Sequence, residues 1–218
     1  DHLGEGLRSA VLFGSAVTGD FLPDVSDVNL LLALKTGTPL PVLPPGWVRH
    51  ASKVLRAAPV VWLEDRMPEL PHVFPLEIRE IVQFHRCLHG GDPFMQDLVK
   101  PEDLARAVRT GLLRLHGELQ GNLILDEAGR TPFDTLYDFI FLVRGFLRTQ
   151  GAQPARTKKD SLEQFAERFD TALTTAKVLL SVRDRTLAPP GEHERKQMFG
   201  YYLKDVERVM QVAEGKLP

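Results

Sequence analysis

A chain of 218 residues, 43% hydrophobic and 26% charged, is long enough to bury a core of ordinary size, and its composition excludes disordered, collagen-like and membrane classes. A formal net charge of −2 gives no global basic footprint of the kind nucleic-acid binders carry, so electrostatics name no partner. With the single cysteine Cys87, an internal disulfide framework and a cysteine-rich zinc site are ruled out, and a reducing, cytoplasmic setting is expected.

No apolar run approaches the roughly 20 residues that span a bilayer, and Asp1-His2-Leu3-Gly4 does not read as a signal peptide. Up to residue 97 the chain alternates short β-rich runs with Pro and Gly. Residues 10–13 (AVLF), ending at Gly14, and residues 29–34 (NLLLAL) have the length and bounding residues of buried strands. Residues 37–46 (GTPLPVLPPG) are too rich in proline for a helix and read as a rigid connection. Residues 60–63 (VVWL) and 73–82 (VFPLEIREIV) supply two more predicted strands. In the second, Phe74, Leu76 and Ile78 share one face at period two, with Glu77 and Arg79 on the other.

From residue 98 the texture is helical. Residues 101–123 open with proline and two acids, and their apolar positions recur at Leu104, Val108, Leu112 and Leu115. A second helix is predicted over 131–149, with Leu136, Ile140, Val143 and Leu147 on one stripe. A third runs from about 159 to 183 through Leu162, Phe165, Ala166 and Phe169, and a last one from about 193 to 213. Four helices with short joints make a bundle. The expected fold class is α+β: a mixed sheet with flanking helices over 1–97, then a helical bundle over 98–218.

Chemistry is concentrated in one stretch, residues 11–34 (VLFGSAVTGDFLPDVSDVNLLLAL). A Gly-Ser turn directly after a strand can offer backbone N–H groups and a hydroxyl to phosphate oxygens, and glycine permits close approach. Gly14-Ser15 occupies that place. After a spacer of eleven residues, positions 27 and 29 stand at i and i+2 leading into the next strand, so both project from one face and can reach one ligand. They are Asp27 and Asn29. A third oxygen donor is expected from a neighbouring strand. Glu77 is the first candidate, with Glu64 and Asp65 as rivals. Pro23-Asp24-Val25-Ser26-Asp27 is also good loop chemistry, in which Asp27 would simply cap the approach to the strand.

This order of strand, Gly-Ser, spacer and Ser26-Asp27-Val28-Asn29-Leu30 resembles the nucleotidyltransferase superfamily, which includes antibiotic adenylyltransferases and minimal nucleotidyltransferases. The resemblance extends through residues 73–94 and covers roughly residues 8–97. It implies that Gly14 and Ser15 contact nucleotide phosphates, that Asp27 binds metal, and that Glu77 is the third carboxylate. The implied cofactor is Mg²⁺ or Mn²⁺, with a nucleoside triphosphate as substrate or ligand. Asn29 departs from the pattern, because the family has an acid there. An amide oxygen can coordinate a hard cation but brings no charge. Residues 144–165 are similar to part of a HEPN-type helical bundle.

Three further features carry weaker signals. His85, Cys87 and His89 are spaced as metal ligands, although a structural role fits them better. Arg109 and His116 lie one heptad apart, as in the ribonuclease motif of some HEPN domains, but ordinary helix surface also explains them. Residues 154–159 (PARTKK) could hold phosphate or RNA, or form a solvated basic loop.

Two functions follow. In one, a hydroxyl acceptor (a small molecule, a protein or RNA) receives a nucleoside monophosphate, with activity reduced or absent because of Asn29. In the other, the chain is a catalytically degenerate nucleotide-binding or protein-interaction module with a partner protein, in the manner of a toxin–antitoxin pair.

Overall fold

Leu7–Phe13 (β1), Asn29–Leu34 (β2), Val60–Leu63 (β3) and His85–Gly90 (β4) form one sheet in the order β3-β2-β1-β4 in a computed structural model of the chain. The structure describes residues 4–23, 25–39, 45–56, 58–96, 98–125 and 131–217; Asp1-His2-Leu3, Asp24 and half of the proline-rich stretch, residues 40–44, lie outside them. The chain divides into two compact units, Asp1–Lys100 and Pro101–Pro218. Its fold is α+β, with a mixed sheet and its helices in the first unit and a helical bundle in the second.

In the first unit β1 is antiparallel to both β2 and β4, whereas β2 and β3 run parallel. Val11, Leu31 and Ala33 are buried on one face of the sheet, and Leu34 is buried on the other. Helices α1 (Ser15–Thr18), α2 (Pro45–Leu55), α3 (Leu70–Val73) and α4 (Pro75–Gln83) join the strands. Gly90 ends β4 at φ +74°, where a Cβ would meet the Arg8 carbonyl oxygen at 1.8 Å, so only glycine fits that crossing.

The predicted strand at 73–82 is corrected: most of it is helix α4. Pro75 stands in the first turn, where its missing N–H is no loss, and Glu77 complements the positive helix end. Alternation holds only through Ile78. Period two would then make residue 80 apolar and residue 81 polar, but Glu80 and Ile81 are the reverse, and the buried set Leu76, Ile78 and Ile81 fits a helix packed on a sheet. Phe74, assigned to the buried face, is exposed. The structure adds α2, which begins at Pro45 within the stretch read as a connection, and β4.

The second unit contains α5 (Pro101–Ile124), α6 (Pro132–Thr149), α7 (Lys158–Phe169), α8 (Thr174–Arg183) and α9 (Glu192–Glu214). All eight apolar positions named for the first two helices are buried. Helix α6 is the hub and packs against α5, α7, α8 and α9. The single helix predicted over 159–183 is two. Asp170 takes a left-handed conformation (φ 47°) and closes α7, and Leu173 is buried in the joint. Leu173 cannot cap α8 with its side chain, so Asp205 of α9 does: its Oδ2 accepts the Ala176 N–H at 2.9 Å.

Candidate functional site

The register brings the predicted residues to one end of the sheet. Phe13, the last residue of β1, stands opposite Asn29 on β2 and opposite His85 on β4. Residues directly opposite in antiparallel strands share a face, so Phe13, Asn29 and His85 form a row. Gly14 follows at φ 73° and ψ −148°, a conformation essentially confined to glycine. The turn it makes lays the Asn29 amide against it: a Cβ on Gly14 would meet Asn29 Nδ2 at 2.6 Å. Ser15 opens α1, whose first turn is held by N–H groups of Val17 and Thr18 donating to the Gly14 carbonyl at 2.9 and 3.1 Å.

Asp27 is fixed from both sides. Ser26 accepts the Leu22 N–H on its Oγ at 3.0 Å, and the Val28 N–H donates to the Leu55 carbonyl at the end of α2 at 2.8 Å. Asp27 itself is exposed, while Ser15 and Asn29 are half-buried. Among the described residues, the side chains of Ser15, Asp27 and Asn29 form no hydrogen bond or ion pair with one another or with any neighbour. They are uncommitted polar groups near this end of the sheet.

The third donor is not gathered in the same way. Glu77 sits exposed in the first turn of α4, not on a strand, and forms no hydrogen bond among the described residues. Glu64 and Asp65 follow β3 at the other end of the sheet. Leu34 pairs with Leu63, and the Glu64 N–H donates to the Leu34 carbonyl at 2.8 Å. The five residue steps from Asn29 to Leu34 put them about 17 Å away along β2. Glu64 also pairs with Arg8 at 3.1 Å. Among the described residues, no group of three or more His, Cys, Asp or Glu side chains could hold a metal ion. One carboxylate and one amide do not fit a resident divalent cation, which takes about six oxygens.

His85 is the residue that sequence reasoning placed lower than the structure does. Its Nε2 lies 2.9 Å from Asp92 Oδ2, its Nδ1 lies 2.8 Å from the Ile81 carbonyl, and its ring meets Phe94 edge-on. Asp92 also accepts the Phe94 N–H at 2.8 Å. Burial works to raise the Asp92 carboxyl. The His85 hydrogen bond, the Phe94 N–H and the His85 charge outweigh it and hold Asp92 below the ordinary carboxylate value. HRCLH carries no period-two alternation that would signal β4, and the Asp92 partner seven residues on was not deducible from spacing.

The remaining features have local structural roles. His116 Nε2 lies 3.3 Å from Glu207 Oε1 on α9, and Arg109 Nη2 donates to the Leu217 carbonyl at 3.3 Å, so both join α5 to the end of the chain. In the 154–159 stretch, the Ala155 carbonyl accepts from Arg144 at 3.2 Å and from Ser161 at 3.0 Å, and Thr157 caps α7 by accepting the Asp160 N–H. Lys158 lies over the Tyr137 ring, 4.8 Å from its centroid.

No protein-family model matches the chain, and no curated protein does. Among solved structures it is similar to a nucleotidyltransferase-like protein from Exiguobacterium sibiricum 255-15. The two are 13% identical over 96% of this chain and 70% of that one, with a TM-score of 0.37. A likeness at that level carries nothing about activity or site residues. Among the described residues, no helix is long and apolar enough to cross a membrane.

Proposed function

We propose that this chain is a nucleotidyltransferase-type protein that binds a nucleoside triphosphate at the Gly14-Ser15 turn, with transfer to a hydroxyl acceptor reduced or absent. One observation supports the reading: the amide of Asn29, two residues after Asp27, packs on Gly14, next to Ser15 in the chain, and the side chains of Ser15, Asp27 and Asn29 have no described partner. Transfer needs the acceptor oxygen to attack the α-phosphorus while the bond to the bridging oxygen breaks and pyrophosphate leaves. Backbone N–H groups and the Ser15 hydroxyl suit the holding of phosphate oxygens; Asp27 suits the charge of a cation that accompanies them. Mg²⁺ or Mn²⁺ would enter with the triphosphate, whose oxygens supply ligands the chain lacks, since Mg²⁺ is commonly held by one or two carboxylates plus substrate phosphates. Glu77 is the acid we assign to the third position.

The packing of the Asn29 amide on Gly14 favours a second reading, a degenerate module that keeps the turn for nucleotide or protein binding alone. Thermal shift with ATP, GTP, CTP and UTP, with and without Mg²⁺ or Mn²⁺, tests the first. Metal-dependent stabilisation by one triphosphate that disappears in Asp27→Ala supports it and justifies an acceptor screen. No shift at millimolar nucleotide overturns it and leaves the partner-protein reading.

A further inference from the structure

The two edges of the sheet differ in chemistry. At one, β4 carries His85, Arg86 and His89; at the other, β3 is the uncharged run Val60-Val61-Trp62-Leu63, in which Val60, Val61 and Leu63 are exposed. No charged residue stands between Ala58 and Leu63. Edge strands are normally blunted by charge, because their open N–H and C=O groups invite another strand.

The register decides which groups of β3 are open. The Glu64 N–H donates to the Leu34 carbonyl at 2.8 Å, so residue 64 turns its backbone to β2. Along a strand successive residues turn their backbone groups to opposite sides, so Val60 and Trp62 also face β2 while Val61 and Leu63 face outward. Across the trans peptide from the Val60 N–H, the Pro59 carbonyl faces outward too. Two positions at this edge are closed: Pro59 has no N–H to offer, and the Leu63 carbonyl already accepts the Arg66 N–H at 3.0 Å. The Pro59 carbonyl, both groups of Val61 and the Leu63 N–H are left without a hydrogen-bond partner among the described residues.

We infer that the β3 edge is a self-association surface, on which β3 of a second copy of this chain pairs antiparallel about a two-fold axis at Val61. In that register the two Val61 residues exchange both N–H···O bonds, and each Leu63 N–H donates to the other copy's Pro59 carbonyl. The remaining bond of the Pro59–Leu63 pair would need the N–H that proline lacks and the carbonyl that Arg66 already occupies. Each closed position therefore falls opposite the other, and every open group finds a partner. A strand with an N–H and a carbonyl at every residue would leave an unmatched group opposite Pro59 and another opposite Leu63. The side chains agree with the register: Val60 falls opposite the second copy's Trp62, an aromatic and β-branched pair, and Glu64 falls opposite Ala58 instead of its own counterpart.

Sedimentation equilibrium of the full chain tests this. The expected result is a reversible monomer–dimer equilibrium below about 1 mM, weakened about tenfold or more in Val61→Pro, which removes the central pair of bonds. Proline suits the monomer at that position, since the Val61 N–H faces away from β2. Val61→Lys sets two ammonium groups across the axis and should weaken the dimer most at low salt. A chain that stays monomeric up to about 1 mM overturns the inference. So does a dimer that either variant retains at wild-type strength, because its interface then lies elsewhere. If Val61→Pro does not fold, Val61→Lys decides.

Discussion

Gly14→Ala probes the geometry on which the candidate site depends. At φ 73° and ψ −148° the backbone occupies a region essentially closed to residues with a Cβ, and holding alanine there costs about 1–3 kcal/mol. The added carbon also meets Asn29 Nδ2 at 2.6 Å, and swinging that amide off its rotamer costs about 0.5–1.5 kcal/mol more. The expected loss is therefore about 2–4 kcal/mol. Both tryptophans, Trp47 and Trp62, fall in the first unit, so urea unfolding followed by tryptophan fluorescence reports on that unit. A mutant cycle separates the two causes. Asn29→Ala removes the contact but not the backbone strain, so the double variant should be more stable than the sum of the single effects by about 0.5–1.5 kcal/mol. A loss below about 0.5 kcal/mol for Gly14→Ala would show that the turn relaxes freely, and the argued position of Asn29 would fall with it.

Asp205→Ala should destabilise the bundle by about 3 kcal/mol, because it strands the Ala176 N–H and leaves Arg208 without its 2.8 Å partner, as far-UV circular dichroism in urea would measure. Burial raises the Asp205 carboxyl above its ordinary 3.8, in part offset by the Ala176 and Thr175 N–H groups and by Arg208. The folded state therefore binds that proton more tightly than the unfolded chain does. Its contribution is full below pH 3.8 and is lost as the pH rises through the raised value, a slope that Asp205→Asn should flatten. Asp92 has the opposite sign: its contribution is present above 3.8 and lost as the pH falls through its lowered value, so Asp92→Asn should reduce the acid sensitivity of the tryptophan-reported transition. Arg185 sits at φ 59°, and Arg185→Gly should stabilise the bundle by about 1 kcal/mol in the same urea assay.

The strands that carry their own signal were legible as sequence: Asn29–Leu34 and Val60–Leu63 are continuous apolar runs, and their limits match. The heptad-like rows of the first two bundle helices were equally clear, since Leu104 to Leu115 and Leu136 to Leu147 each draw one buried stripe. What failed did so for local reasons. Three alternating residues before Glu80 imitated a strand, although Pro75 and Glu77 were already helix-start chemistry. His85–Gly90 has a strand's backbone partners but a polar sequence on an edge, where pairing with β1 and not burial selects the structure. The break after Phe169 depends on Asp205, some 35 residues downstream, to cap the new helix, and no local pattern contains that partner. At the site, the Gly14-Ser15 turn and Asp27 were readable as a motif. The meeting of Asn29 with Gly14 needed the register, and so did the distance of Glu64.

Asn29 changes what the glycine turn asks of its surroundings. An aspartate in its place would set a second carboxylate two residues from Asp27, half-buried and with no described partner, and like charges so placed repel unless a cation lies between them. An amide of the same shape closes over Gly14 without one. On the proposed reading, the turn at this end of the sheet then needs no metal to hold it. The same exchange weakens the case for chemistry, because the charge that would repel in the empty site is the charge that would hold a cation against the α-phosphate. Asn29→Asp should accordingly lower stability in chelator and regain it with Mg²⁺ and a triphosphate in thermal shift, if the turn is a nucleotide cradle. Destabilisation that neither ligand repairs would mean that the position has passed from metal binding to holding the turn.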